Sequence, residues 1–310
     1  MQMQSERLRV GIIGAGAMGT LFGYHLAKSC EVTMLDSNPN LLASIADGGL
    51  SVNDSEPRPV IAAGSPNDLY GSAVLFLFVK AVDTLSALRP FTGKLNPATP
   101  IVSLQNGIGN EDSIKTALGG AVPVVLGITT KSSLTTAPGR ARSSQRGTTI
   151  IGSGGAASST SRRVAALLSD SDLQTSVVYD IRPHLWGKLI ANAAINAISA
   201  LLDCDAGAIP NDANASRLSK ALALEAATVA KSLKINLPFE DAWKYVTDVI
   251  AAGADAKSSM AFDLESHHPS EIDHINGAVV SAGRRTGVPT PYNDAIVRLI
   301  KARETLKARA

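Results

Sequence analysis

Cysteine is scarce in this sequence: two residues, Cys30 and Cys204, stand far apart in a chain of 310. So sparse a set does not form the disulfide framework of a small secreted domain, and it suits a reducing cytosol. No CxxC pair or clustered Cys/His spacing is present, so no metal site is expected. Charge of one sign is also lacking. Twenty-nine basic residues against 27 acidic ones leave a net charge of +2, which gives no reason to expect nucleic acid or an anionic membrane as a partner. No apolar stretch reads as the roughly 20 residues that a membrane helix needs. The opening MQMQSERLRV has no apolar signal core, so the expected location is cytoplasmic.

What is present is the composition of a globular protein, 45% hydrophobic and 18% charged, in a chain long enough for two cores. The first half alternates short apolar runs with helical patterns. Strands are expected at Leu8–Ile13, Val32–Leu35, Val74–Val79, Ile101–Leu104 and Val122–Ile128, with a helix over Ala17–Lys28. Val74–Val79 is almost wholly apolar, as a strand buried on both faces should be. This alternation argues for a parallel sheet covered by helices on both sides. From Pro183 onward helical spacing takes over, at roughly 183–203, 214–233 and 238–252, with two or more helices from 259 to the end. Pro183 suits a first helical turn, where its missing N–H costs nothing. The Gly/Ser stretch at 152–161 reads as a surface loop, and Arg140, Arg142, Arg146, Arg162 and Arg163, set among Ser, Thr and Gly, read as solvated loop residues.

After the first strand comes Gly14-Ala15-Gly16-Ala17-Met18-Gly19, a GxGxxG that opens a helix, with Asp36 at the end of the next strand. Gly14 permits the tight turn, Gly16 lets the backbone approach a pyrophosphate, and Gly19 allows close helix–strand packing. The helix N-terminus offers free N–H groups and partial positive charge to phosphates. The pattern in this context predicts dinucleotide binding by an α/β Rossmann domain. Asp36 can accept hydrogen bonds from both ribose hydroxyls and would repel a 2′-phosphate, and Ser37 and Asn38 supply no cation to offset that. On these residues NAD(H) is favoured over NADP(H), unless Asp36 merely caps the helix running from Pro39.

In the second half Lys188, Asn192 and Asn196 fall at i, i+4 and i+8, in line over roughly 12 Å of one helix. Apolar neighbours such as Leu189, Ile190 and Ile195 suggest a mostly buried helix, and buried polar groups need partners, of which a substrate is one. Further on, Ser258-Ser259-Met260 with Asp263 precedes Glu271-Ile272-Asp273-His274-Ile275-Asn276-Gly277. Taken locally, Ser258 or Ser259 and Glu271 could each simply start a helix.

Together these motifs carry a family likeness. With Phe78-Val79-Lys80-Ala81, Gln105-Asn106-Gly107 and the ending Gly287-Val288-Pro289-Thr290-Pro291-Tyr292-Asn293, the chain resembles the 2-dehydropantoate 2-reductases (ketopantoate reductases) over nearly its full length. The resemblance implies a pantothenate-pathway enzyme that reduces 2-dehydropantoate to (R)-pantoate with NAD(P)H. It implies Lys188 as general acid, Glu271 as the carboxylate that positions substrate and lysine, and Asn192 and Asn196 as ligands of substrate oxygens. Ser259 would take the substrate carboxylate, and Asn106 would serve cofactor and substrate alike. Lys80, past the carboxyl end of a buried strand, would join Gly14, Ala15, Gly16, Ala17, Met18, Gly19 and Asp36 at the cofactor.

The sequence departs from the family in two places. Members commonly carry an arginine just after the second strand, consistent with NADP(H); here the position reads Asp36-Ser37. Before the Glu271 motif stands Ser266-His267-His268-Pro269-Ser270, whose histidines read as solvent-facing turn residues. The expected architecture is a mainly parallel, doubly wound Rossmann domain over 1–180, followed by an all-α substrate domain over 181–310, with the active site in the cleft between them. Two other functions stay open: a related dehydrogenase acting on another 2-oxo acid, and a dinucleotide-binding sensor without catalysis. A homodimer is an open option, since helical second domains of such enzymes often pair.

Overall fold

The computed structural model describes residues 7–307, apart from 121, 145 and 154–157. The chain forms two compact units. The first runs to Gln105 and resumes over Asn110–Ile181; the second holds Asn106–Gly109 and everything from Arg182 on.

The first unit is wound around β1 (Arg9–Ile13), α1 (Ala17–Leu26), β2 (Glu31–Leu35), α2 (Pro39–Gly48), β3 (Ser51–Val52) and β4 (Ile61–Ala62). It continues through β5 (Val74–Leu77), α3 (Thr84–Leu88), β6 (Ile101–Ser103), α4 (Asn110–Leu118), β7 (Val124–Thr129), β8 (Ser133–Ala137), β9 (Arg140–Ser143), β10 (Thr149–Gly152), α5 (Ser159–Asp170) and β11 (Thr175–Val177). Among the described residues the main sheet has eight strands in the order β11-β10-β7-β6-β5-β1-β2-β4. Its pairings are parallel except β10 against β7. Side chains alternate across it. Val10, Ile12, Val74 and Phe76 pack with Phe22 and Leu26 of α1 and Leu168 of α5, whereas Ile13, Leu75 and Leu77 pack with Leu88, Ile114 and Leu118 of α3 and α4. The sheet is therefore covered on both faces, which is why β5 (Val-Leu-Phe-Leu) is apolar at every position and buried throughout. The strand order reverses between β1 and β5, so a crevice opens beyond their carboxyl ends.

A second sheet, β3-β9-β8, was not expected. Its strands are short, and β8 (Ser-Leu-Thr-Thr-Ala) is mostly exposed, so no period-2 apolar signal marks it. This corrects the reading of the arginines. Arg140 and Arg142 lie in β9, and Arg140 donates from Nη2 to the Gly48 carbonyl at the end of α2 (3.1 Å). Arg162 and Arg163 lie exposed on α5, and Arg146 remains in a loop. Of the 152–161 stretch, residues 154–157 lie outside the described residues; Gly152 closes β10 and Ser158 caps α5. Cys30 and Cys204 are free thiols.

The second unit is helical: α6 (Arg182–Leu202), α7 (Ala213–Ser232), α8 (Ala242–Ala252), α9 (Ser259–Glu265), α10 (Asn276–Thr286) and α11 (Pro291–Lys307). α6 runs through its core and contacts α7, α8, α9 and α11. Alanines 191, 193, 194, 197 and 200 let these neighbours approach closely. By length and composition α6 is apolar enough to cross a membrane, contrary to the sequence expectation, but 72% of that stretch is buried inside the protein; it is a core helix.

The motif ending in Asn293 is structural. Glu225 on α7 accepts from the N–H groups of Tyr292 and Asn293 (both 2.9 Å) and from Asn293 Nδ2 (2.8 Å), capping α11 from a distance. Asn293 is fully buried, and its Oδ1 accepts from Asn276 Nδ2 (3.0 Å), which also donates to the Ala193 carbonyl of α6. Glu225→Ala would leave two helix-end N–H groups and a buried amide short of an acceptor. We expect it to lower the unfolding free energy by about 2–3 kcal/mol, read by chemical denaturation; an unchanged midpoint would show that water replaces the carboxylate.

Candidate active site

The glycine loop is built by crowding. Gly14 has φ +99°, and a Cβ there would lie 2.7 Å from the backbone of Phe78 and Val79. A Cβ on Gly19 would lie 1.9 Å from the Gly14 carbonyl oxygen. Only glycine lets α1 start this close to the strand ends. Gly16 differs: a Cβ there would meet nothing within 4 Å, so its smallness serves no protein neighbour. Gly16 is also the N-cap of α1, and among the described residues no side chain caps the helix there.

Beyond the loop lies a cavity of about 650 Å³, lined by Gly14, Asp36, Pro39, Ser65, Val79 and Asp83 among others. Asp36 is tied to the loop, its Oδ2 accepting from Ala15 N–H (2.7 Å) and its Oδ1 from Asn38 N–H (2.9 Å). It does not cap α2; Asn38 does, accepting from the N–H groups of Asn40 and Leu41. Another part of the wall is braced by Gln105, a residue with no role expected from sequence. Its Nε2 donates to the Val79 carbonyl (2.8 Å) and Thr84 Oγ1 (2.9 Å), while its Oε1 accepts from Ser103 Oγ (2.8 Å). A polar residue ending a buried strand run was the available signal. Lys80 follows Val79 and caps the turn at Ala81–Asp83 through its backbone, but its side chain is not among those lining the cavity.

The second unit gathers another set. Asn106 Nδ2 donates to Glu271 Oε2 (3.0 Å). The next residue, Gly107, has φ +82° and sits so close to His274 that a Cβ would lie 2.3 Å from its carbonyl oxygen. Glu271 does not start a helix. It heads a turn in which the N–H groups of His274 and Ile275 both donate to its carbonyl (3.0 Å each), and α10 begins only at Asn276. Burial lowers the pKa of Lys188 to about 8, against the opposing pull of the nearby Glu271 carboxylate. Asn192 is half-buried and Asn196 buried, and among the described residues neither carboxamide makes a side-chain hydrogen bond. The Asn196 carbonyl accepts from Ser258 Oγ (3.1 Å), which also caps α9. That bond leaves Ser259 exposed on the first turn of a helix anchored beside Asn196.

Residues 10–155 match the family model described as "Ketopantoate reductase PanE/ApbA", and residues 180–304 match "Ketopantoate reductase PanE/ApbA C terminal". A 2-dehydropantoate 2-reductase of Pyrobaculum aerophilum is 34% identical over 300 residues, covering 95% of this chain and 98% of that one. The chain belongs to the ketopantoate reductase family. Two solved structures are similar to it. A PanE/ApbA family ketopantoate reductase from Ralstonia eutropha JMP134 superimposes with a TM-score of 0.89 at 28% identity, covering 97% of this chain and all of that one. D-mandelate dehydrogenase in a ternary complex with NADH and anilino(oxo)acetate does so with a TM-score of 0.87 at 25% identity, covering 96% and 98%.

As a ketopantoate reductase family member the protein is an NAD(P)H-dependent oxidoreductase, and its fold is the two-part fold of that family. The first unit fits a nicotinamide dinucleotide: the space beside Gly16 is open, among the described residues no side chain caps the helix start, and the cavity lies past the carboxyl ends of β1, β2 and β5. The two glycines should separate binding from folding. Gly19→Ala should cost about 3 kcal/mol by overpacking against a backbone oxygen. Gly16→Ala should leave the denaturation midpoint nearly unchanged yet weaken NADH binding about tenfold or more, if the open space its methyl group would enter receives a phosphate. Equal NADH affinity in Gly16→Ala and wild type would refute this role.

Proposed function

We propose that this enzyme reduces the ketone of 2-dehydropantoate to (R)-pantoate, in pantothenate and coenzyme A synthesis, with NADH preferred over NADPH. The observation that carries the reading is Lys188, a lysine with its pKa lowered to about 8, in line with two carboxamides that make no side-chain hydrogen bond among the described residues. A bound nicotinamide dinucleotide supplies hydride to the carbonyl carbon. Lys188 then acts as the general acid. Its Nζ gives one proton to the carbonyl oxygen as the C–O π electrons move onto that oxygen, and it is left as a neutral amine to be reprotonated from water. Before transfer, its positive charge stabilises the developing alkoxide. Glu271, held by Asn106, keeps the lysine protonated and oriented. Asn192 and Asn196 hold substrate oxygens, and Ser259 takes the substrate carboxylate. Asp36, fixed by Ala15, accepts from the adenosine ribose hydroxyls and disfavours a 2′-phosphate. Gly14–Gly19 receive the pyrophosphate, with Lys80 at the rim.

A second reading draws on the likeness to D-mandelate dehydrogenase, solved with NADH and a substituted oxoacetate: the same machinery would serve another 2-oxo acid. Initial rates with 2-dehydropantoate and a panel of 2-oxo acids, using NADH and NADPH in parallel, decide between them. Lys188→Ala should lose about 10³-fold in kcat; a wild type inert towards 2-dehydropantoate would end the first reading.

The pH dependence has a definite sign. An acid must be protonated, so kcat/KM for reduction should be flat below the Lys188 pKa and fall above about 8. Because the Glu271 charge raises that pKa, Glu271→Gln should move the breakpoint to lower pH. A breakpoint that stays put or rises would remove Glu271 from this role.

A further inference from the structure

We propose that Asp83 is a second specificity-determining residue of the dinucleotide cleft, acting with Asp36 to exclude a 2′-phosphorylated cofactor. The inference rests on the reading of that cleft given above. Asp83 occupies the N-cap of α3, where an aspartate ordinarily accepts from the helix's first N–H groups. Here its side chain makes no such bond. Its backbone is engaged, its N–H donating to the Lys80 carbonyl and its own carbonyl accepting from Ser86 Oγ (2.9 Å each). Among the described residues its carboxylate takes part in no hydrogen bond or ion pair. The side chain is exposed and forms part of the cavity wall that also includes Asp36.

Two carboxylates thus border one cavity, and among the described residues lining it there is no lysine or arginine, Lys80 lying outside that lining. They are held differently. Asp36 is pinned by the N–H groups of Ala15 and Asn38, so its charge is fixed at the end of β2. Asp83 has no such tether and lies on the segment after β5, the strand on the other side of β1 from β2. A 2′-phosphate brings close to two further negative charges and meets like charge from both carboxylates. Neutralising Asp36 alone would leave the second source of repulsion in place, so a full change of preference needs both positions. Repulsion between exposed groups is also screened by salt, which steric exclusion is not.

The test is titration of nicotinamide fluorescence with NADH and with NADPH, without any 2-oxo acid, for wild type, Asp36→Asn, Asp83→Asn and the double variant. Asp83→Asn should shift the ratio of the two dissociation constants about fivefold towards NADPH, with a smaller shift at high salt. The double variant should shift further than Asp36→Asn alone. An unmoved ratio in Asp83→Asn, or a shift indifferent to salt, would overturn the proposal. Binding of neither dinucleotide to wild type would overturn it together with the cleft reading. A wild type that binds both equally would sink the Asp36 reading, while the Asp83→Asn ratio would still decide for or against Asp83. Since no 2-oxo acid is present, a wrong substrate assignment leaves every outcome intact.

Discussion

One helix in the second unit must do two incompatible things: fill an apolar core and carry a lysine. α6 meets the first demand with small residues on its buried faces, which let α7, α8 and α9 approach closely. It meets the second by confining Lys188, Asn192 and Asn196 to one line. Desolvation is the cost, and it falls on the ammonium, bringing its pKa to about 8. Taken further, burial would leave a neutral amine with no proton to give; the Glu271 carboxylate limits that by pulling the other way. The Lys188 pKa is therefore a compromise between core packing and one nearby charge.

The first unit solves a different problem, that of bringing a helix start against strand ends without clashes. The glycines at 14 and 19 remove side chains where backbones meet, and Ala15 N–H secures the Asp36 carboxylate to the same loop. The carboxylate proposed to select the ribose is thus oriented by the loop proposed to receive the phosphates. Gln105 braces another part of the wall through the Val79 carbonyl. Part-buried hydrogen bonds of this kind hold the walls in place, because each would leave an underpaired polar group if broken.

Much of this was legible because it is periodic or spaced. The doubly wound sheet showed as alternating apolar runs, and the line from Lys188 to Asn196 as a helical interval. What stayed hidden depends on contacts between distant residues. Asp36 reads as a ribose ligand or a helix cap, and only a bond to a residue 21 positions earlier, with Asn38 capping α2 instead, removes the second option. Glu271 reads as a helix start, yet the chain makes a turn there, with His274 pressed against Gly107. The β3-β9-β8 sheet carries Ser, Thr and Arg where a strand signal would be apolar, so it is visible only through its partners.

The four residues Asn106–Gly109 group with the helical unit although the chain on either side of them belongs to the first. The backbone therefore crosses from one unit to the other three times: at 105/106, at 109/110 and at 181/182. A fragment beginning at Arg182 would lack both the amide that bonds Glu271 and the Ile108 N–H that donates to His274. The helical half is thus not an independent cassette. Expressed alone from Arg182, it would keep its lysine and lose the segment whose Asn106 and Ile108 bond to the turn bearing the neighbouring carboxylate.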